Sequence, residues 1–176
     1  SSLGYAYLYS GRAADALDLL TKAVDLCMRT ARWGDQSLRV AYLGETYLLL
    51  GRIDDAIKSA ESALDLARRH NERGNEAYAL RLLGEISARK DPMDVQQAED
   101  YYRQAIALAE ELGMRPLVAH CHVGLGKMFR RIANTERAMT HFANGVAMMR
   151  EMEMGLWLEK AEAELKLLAK ANSLGI

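Results

Sequence analysis

The sequence predicts an all-α solenoid of about four helix-turn-helix hairpins followed by a C-terminal capping helix. Three observations predict it. Leucine-glycine pairs recur in register, at Leu3-Gly4, Leu43-Gly44, Leu83-Gly84 and Leu125-Gly126, so that successive glycine positions differ by 40, 40 and 42. After each pair comes a trio spaced i, i+4, i+7: Ala16/Leu20/Ala23, Ala56/Ala60/Ala63, Ala98/Tyr102/Ala105 and Ala138/Phe142/Gly145. That spacing puts each trio on one helical face. Half the residues are apolar but only 7% are aromatic, and two prolines interrupt 176 residues, which suits long, closely packed helices.

The elements follow from this register, with breakers marking the turns. The first repeat, roughly 1–33, opens with a helix ending near Ser10, turns at Gly11-Arg12, and continues as a second helix over about 13–30. The second, roughly 34–73, places helices near 35–50 and 54–70 around Gly51-Arg52. The third, roughly 74–115, has helices near 75–90 and 94–112 on either side of Asp91-Pro92. The fourth, roughly 116–153, runs from Pro116 to about 132, turns at Ala133-Asn134, and resumes over about 135–152. A last helix, 156–171, turns Trp157, Leu158, Ala161, Leu165 and Leu168 inward and Glu159, Lys160, Glu162 and Lys166 outward. It is expected to cap the final hairpin, making 1–176 a single solenoid.

A glycine inside a helix costs about 1 kcal/mol relative to alanine. Four such costs at one phase imply a shared compensation: close approach of the first helix of each hairpin to the second. The motif is then Leu-Gly-x-x-Tyr, with Tyr7, Tyr47, Ser87 and Phe129 at its last position, followed by the small-residue trio. It resembles the tetratricopeptide repeat (TPR) family. The spacing exceeds the usual ~34 residues, as in long-repeat variants, and Val40, Leu80 and His122 replace the first-helix tryptophan.

That resemblance implies a concave face lined by the first helices, where partner segments lie. Transferred by repeat phase, it nominates Tyr5, Leu8 and Tyr9; Leu38, Ala41, Glu45, Leu48 and Leu49; Tyr78, Arg81, Glu85 and Arg89; and His120, Val123, Lys127, Arg130 and Arg131. Its N-terminal half is expected to be aromatic and aliphatic and its C-terminal half basic. Such a face suits a peptide with an apolar end and an acidic end, because apolar anchors supply affinity and charge sets register. The lysine and asparagine pairs of the family's carboxylate clamp are missing, with Ala41/Glu45, Arg81/Glu85 and Val123/Lys127 in their places.

A narrower resemblance rests on Ala109-Glu110-Glu111-Leu112-Gly113-Met114-Arg115-Pro116-Leu117-Val118-Ala119-His120-Cys121-His122, on Gly124-Leu125-Gly126-Lys127, and on Arg150-Glu151-Met152-Glu153-Met154 before Trp157-Leu158. These segments, within 75–168, look like the C-terminal repeats of bacterial signalling proteins that carry an adenylate/guanylate cyclase domain and an AAA-type ATPase. The resemblance implies a sensing or docking arm, and neither the cyclase's metal-binding aspartates nor a P-loop lies in this chain. Starting at Ser1-Ser2 without methionine, the chain reads as an excised piece of something longer.

The remaining chemistry reads as packing. His120-Cys121-His122 places its histidines two apart, whereas helical metal ligands need a spacing of three or four. His122 takes the slot of Val40 and Leu80, Cys121 that of Ala79, Cys27 that of Ala67, and His141 that of Leu19 and Ser59. No metal, cofactor or catalytic group is expected. Nine methionines read as core filler. A net charge of −1 argues against nucleic acid, two distant cysteines suit a reducing cytoplasm, and no apolar run reaches membrane length. The expected function is non-catalytic protein or peptide binding; the alternative is self-association through exposed solenoid ends.

Overall fold

The structure, a computed structural model, describes residues 12–30 and 36–173. Among these it is all helical, with α1 (Ala13–Thr30), α2 (Gln36–Leu49), α3 (Ile53–Arg69), α4 (Arg73–Arg89), α5 (Val95–Glu111), α6 (Arg115–Arg131), α7 (Thr135–Glu151) and α8 (Gly155–Ser173). The chain divides into two compact units, Ser1–Asp94 and Val95–Ile176. The first holds α1–α4 and the second α5–α8.

Most connections from α2 onward are short because each helix ends and the next begins on shared residues. After α2, Gly51 takes the left-handed conformation (φ 74°). The Arg52 amide then donates to the Tyr47 carbonyl at 2.9 Å, and the Gly51 amide to that of Leu48 at 3.2 Å. This is the Schellman closure, which satisfies carbonyls that a helix end leaves orphaned. Arg52 is at once the N-cap of α3, and its guanidinium reaches Asp55 in the first turn at 2.6 Å. Arg12 and Asp15 form the same pair one repeat earlier, at 2.8 Å. The same closure recurs at Asn71, Gly113, Ala133 and Glu153, all with positive φ. Between α4 and α5 the connection runs over 90–94, two positions longer than 50–52 or 70–72. That insertion is why the last glycine spacing is 42 rather than 40.

In the first unit Ala16, Leu20, Ala56, Ala60 and Ala63 of the trios are buried, with Ala23 half-buried, and so are Val40, Leu43, Leu80 and Leu83 of α2 and α4. In the second unit Ala98/Tyr102/Ala105 and Ala138/Phe142/Gly145 are buried. The close approach expected at the helical glycines holds at two sites. A β-carbon on Gly44 would stand 3.2 Å from Ser59 Cβ of α3 and 3.2 Å from Leu82 of α4. One on Gly126 would stand 2.8 Å from Cγ of Phe142. The helices touch where the side chain is missing. Gly4 lies outside the described residues.

Helix α8 packs as expected, with Ala161 and Leu168 buried and Trp157, Leu158 and Leu165 partly so, against Val146 and Met149 of α7. Shifting α6 by one repeat explains it. Val118, Cys121, Leu125 and Met128 map onto Leu158, Ala161, Leu165 and Leu168, so α8 keeps the face that packs on the preceding helix. The face that in α6 receives α7, including Ala119, His122 and Gly126, maps onto Glu159, Glu162 and Lys166. That face of α8 is charged.

Candidate interaction face

In the first unit, residues of α2 and α4 that share the first-helix face are tied to one another. The Tyr78 hydroxyl donates to the Glu45 carboxylate. Arg81 reaches Glu45 at 3.4 Å and Glu85 at 2.9 Å, and Arg89 reaches the other oxygen of Glu85 at 2.7 Å. The Arg81 guanidinium lies over the Tyr78 ring, 4.8 Å from its centroid, and Tyr42 meets that ring edge-on at 5.6 Å. Two carboxylates thus alternate with two guanidiniums. The side chains of Arg81 and Glu45 are only 11% and 14% exposed, so this pair is largely removed from water and its charges are spent on each other.

Two of the residues expected on this face are corrected: Leu48 is 3% exposed and belongs to the core, as does Ala41. Leu38 is half-buried, whereas Leu49 is exposed. A helix face several positions wide cannot be assigned from phase alone once neighbouring helices cover its edges. Tyr5, Leu8 and Tyr9 lie outside the described residues.

In the second unit, side-chain contacts link α6 to α8. The His120 ring meets the Trp157 indole edge-on at 4.8 Å, and the Arg130 guanidinium pairs with the Glu164 carboxylate. These contacts form two rungs, one near the start of each helix and one further along. Lys127 lies on α6 between them and is exposed, as is Arg131, whereas Val123 is half-buried. On α8 the Lys160 ammonium lies 5.1 Å from the centroid of the Trp157 ring, and Leu167, one turn beyond Glu164, is 63% exposed. Sequence reasoning missed Trp157, Lys160 and Leu167 as members of this face, having assigned α8 only a capping role. The signal was present: Lys160 stands one repeat after His120, and Leu167 one repeat after Lys127.

His122 and His141 form a separate cluster. Their Nδ1 atoms are 3.0 Å apart and their ring centroids 5.3 Å. The centroid separation equals the N···N distance plus two ring radii, so the nitrogens face each other head-on. That is the geometry of an N–H···N hydrogen bond, in which one neutral ring donates to the other; lone pairs shared with a metal would converge on a third point instead. Burial lowers the pKa of His122. Burial, then the nearby charges of His122 and Arg137, push His141 down to about 4. His141 also stacks on Phe129 at 5.5 Å, and Arg137 covers the same ring at 3.9 Å while gripping Glu99 at 2.6 Å. The hydrogen bond from Arg137, followed by its charge, keeps the Glu99 carboxyl below its ordinary range against the opposing effect of burial. Cys121 is a buried free thiol. These groups join α5, α6 and α7, which accords with packing as their role.

Among the described residues no helix is long and apolar enough to cross a membrane. Residues 3–172 match the sequence profile of the MalT-like TPR region. No curated protein matches the chain by sequence. Among solved structures it is similar to aspartyl phosphate phosphatase F from Bacillus subtilis, with a TM-score of 0.78 and 16% identity over 99% of this chain. This chain spans 45% of that protein's length. It is also similar to BtubC from P. vanneervenii (TM-score 0.67, 18% identity, 96% of this chain and 78% of that one). A Podosopora anserina protein of nearly identical TPR-like repeats gives 0.67 at 16% identity, covering 98% of this chain and 84% of that one. At such identities the likeness is one of fold, a TPR-like α-solenoid. With its Leu-Gly register, its buried trios and a profile match over nearly its whole length, the chain belongs to the MalT-like TPR family.

Proposed function

We propose that the chain is a non-catalytic protein-interaction module that docks a protein or peptide segment against the first-helix faces of its hairpins. One observation carries the reading: exposed Lys127 and Lys160 flank the His120–Trp157 contact on α6 and α8, whereas the histidine pair and Cys121 are engaged inside the fold. A TPR-like fold supplies the scaffold, and scaffold folds take their function from the side chains displayed on them. The likeness of residues 75–168 to the repeats of cyclase–ATPase signalling proteins supports a place as the docking arm of a larger bacterial, cytoplasmic regulator.

Self-association ranks behind this reading. The side of α8 that a further helix would have to cover carries Glu159 and Lys166 beside the Arg150–Glu162 pair, and burying charges is costly unless each one is paired. Arrays of peptides in acidic, basic and apolar classes, with hydrogen exchange on any bound complex, test the proposal. Protection concentrated on the first helices of one unit, α2 and α4 or α6 and α8, is expected. Protection of α3, α5 and α7 alone, or binding to no peptide class, overturns it.

A further inference from the structure

We infer that the strip between α6 and α8 is the primary docking site, and that its occupant is an acidic protein segment carrying an apolar side chain. This rests on the interaction-module reading and narrows it to one unit, one face and one partner chemistry.

The two units treat their first-helix charges differently. On α2 and α4 the carboxylates Glu45 and Glu85 are matched by Arg81 and Arg89 within the chain. A visiting charge there would have to displace a partner that is already desolvated. On α6 and α8 Arg130 is matched by Glu164, and the cations beside that pair are exposed lysines. Lys127 is exposed on α6. Lys160 adds a further cation from α8, steadied over the Trp157 ring. An anionic segment laid across Lys127 and Lys160 would meet both cations, so charge complementarity selects an acidic occupant.

The apolar requirement comes from Leu167. It is 63% exposed at the repeat position where α2 carries Glu45, α4 carries Glu85 and α6 carries Lys127. The Trp157 ring, half-buried in the cluster that holds Met148 and Met152, forms the floor nearer the start of α8. An aliphatic or aromatic side chain laid against Leu167 would bury it, and such anchors supply most interface affinity. A nucleic acid is the lesser fit. The chain's net charge is −1, a handful of cations makes a small phosphate-neutralising surface, and an exposed leucine contributes nothing to phosphate binding.

The probe is a set of fluorescein-labelled decapeptides: acidic with one tryptophan, acidic with serine in its place, basic with one tryptophan, and neutral. Anisotropy against the full chain should show tightest binding to the acidic tryptophan peptide, weakening as salt screens the charges. Lys127→Glu with Lys160→Glu should weaken it by roughly tenfold or more, and Lys127→Gln with Lys160→Gln by less. Lys166→Glu makes the same kind of charge change on the other side of α8 and should alter affinity by less than about twofold. Leu167→Ser should erase the advantage of the tryptophan peptide over its serine counterpart. If Lys166→Glu weakens binding as much as the Lys127/Lys160 pair, only net charge is being sensed and the inference falls. It also falls, with the module intact, if basic or neutral peptides bind best or if Glu45→Gln rather than the α6–α8 variants abolishes binding. A single-stranded oligonucleotide outcompeting every peptide overturns it too. Failure of every peptide class sinks both readings together.

Discussion

Replacing Gly126 with alanine separates two opposing physical effects. In an ordinary helix interior the change is stabilising by about 1 kcal/mol, because alanine loses less backbone entropy on folding. At this site the added β-carbon would stand 2.8, 2.9 and 3.0 Å from Cγ, Cδ1 and Cδ2 of Phe142. Real β-carbons do not tolerate such approaches. The contact is with the root of the ring, and Phe142 is fully buried, so the ring cannot swing aside into solvent. Relief requires α6 and α7 to separate, which loosens the packing around Phe129, Phe142 and Val146. Overpacking of this kind costs about 1–3 kcal/mol, leaving a net loss of up to about 2 kcal/mol after the helical gain. For a chain of this size that corresponds to a fall in Tm of up to about 8 °C.

The assay is thermal and urea unfolding followed by far-ultraviolet circular dichroism, on Gly126→Ala, Phe142→Leu and the double variant. Phe142→Leu alone should destabilise by opening space. In the double variant the smaller side chain admits the new methyl group, so the losses should fall short of additive by at least about 1 kcal/mol. Gly44→Ala is the internal control. Its closest neighbours lie at 3.2 Å, on Ser59 and the end of the Leu82 side chain, so clash and helical gain should nearly cancel, within about 0.5 kcal/mol. If Gly126→Ala is instead the more stable protein, the close-approach account of the repeat glycines is wrong.

Three further outcomes follow from the side-chain networks. Arg81→Ala should cost about 2–3 kcal/mol in urea unfolding, since it leaves the largely desolvated Glu45 carboxylate without its guanidinium; a loss under about 0.5 kcal/mol would show the ladder to be a surface ornament. His141 should titrate near its folded value of about 4 by NMR. Because that lies below the ordinary value of about 6.5, the unfolded chain takes up a proton that the fold refuses, and stability should fall as pH drops from about 6.5 towards 4. His141→Leu should flatten that slope, and an unchanged slope would remove the histidine pair from the account. Glu99 has the opposite chemistry with the same acid sensitivity. Its lowered pKa gives stability that is present above the ordinary carboxyl range and lost as pH falls through the folded value, so Glu99→Gln should be the less acid-sensitive protein below about pH 4.5.

Much of the fold was legible because the same packing problem is solved repeatedly at one phase. Ala56, Ala60 and Ala63 are buried for the reason that Ala138, Phe142 and Gly145 are, and a reader who aligns them inherits the answer. The turns were legible for a related reason: Gly51 and Gly113 hold left-handed conformations that glycine adopts without strain. Ala133 and Glu153 do the same work without advertising it, since the Schellman closure makes up for the strain. The interaction face was legible only in part. Whether Glu45 offers its charge to a partner depends on Tyr78 and Arg81, which sit on another helix far along the chain. Sequence phase identifies the face a residue shares but not the side chain that neutralises it. The histidine pair shows the same limit, since nothing in the spacing of His122 and His141 announces a head-on hydrogen bond.

Core and surface therefore obey the register differently, and α8 shows why. A core position must fit its neighbours in every repeat, so Cys121 and Ala161 stay small and Leu125 and Leu165 stay leucine across a shift of one repeat. An inner-face position answers only to water, to adjacent charges and to whatever binds there. At one such phase the residues are Glu45, Glu85, Lys127 and Leu167, two anions, a cation and a hydrocarbon. Core packing does not explain that variation, because Lys127 and Leu167 are exposed and Glu45 and Glu85 are only partly buried. In the first unit the variation is absorbed by internal pairing, since each glutamate finds an arginine. In the second, Lys127 and Leu167 share their strip with Lys160, and the carboxylate that α8 contributes there, Glu164, is already held by Arg130. A surface that keeps cations around an exposed leucine has its complement elsewhere, and the peptide titrations on Lys127, Lys160 and Leu167 measure how much of that complement is charge and how much is contact.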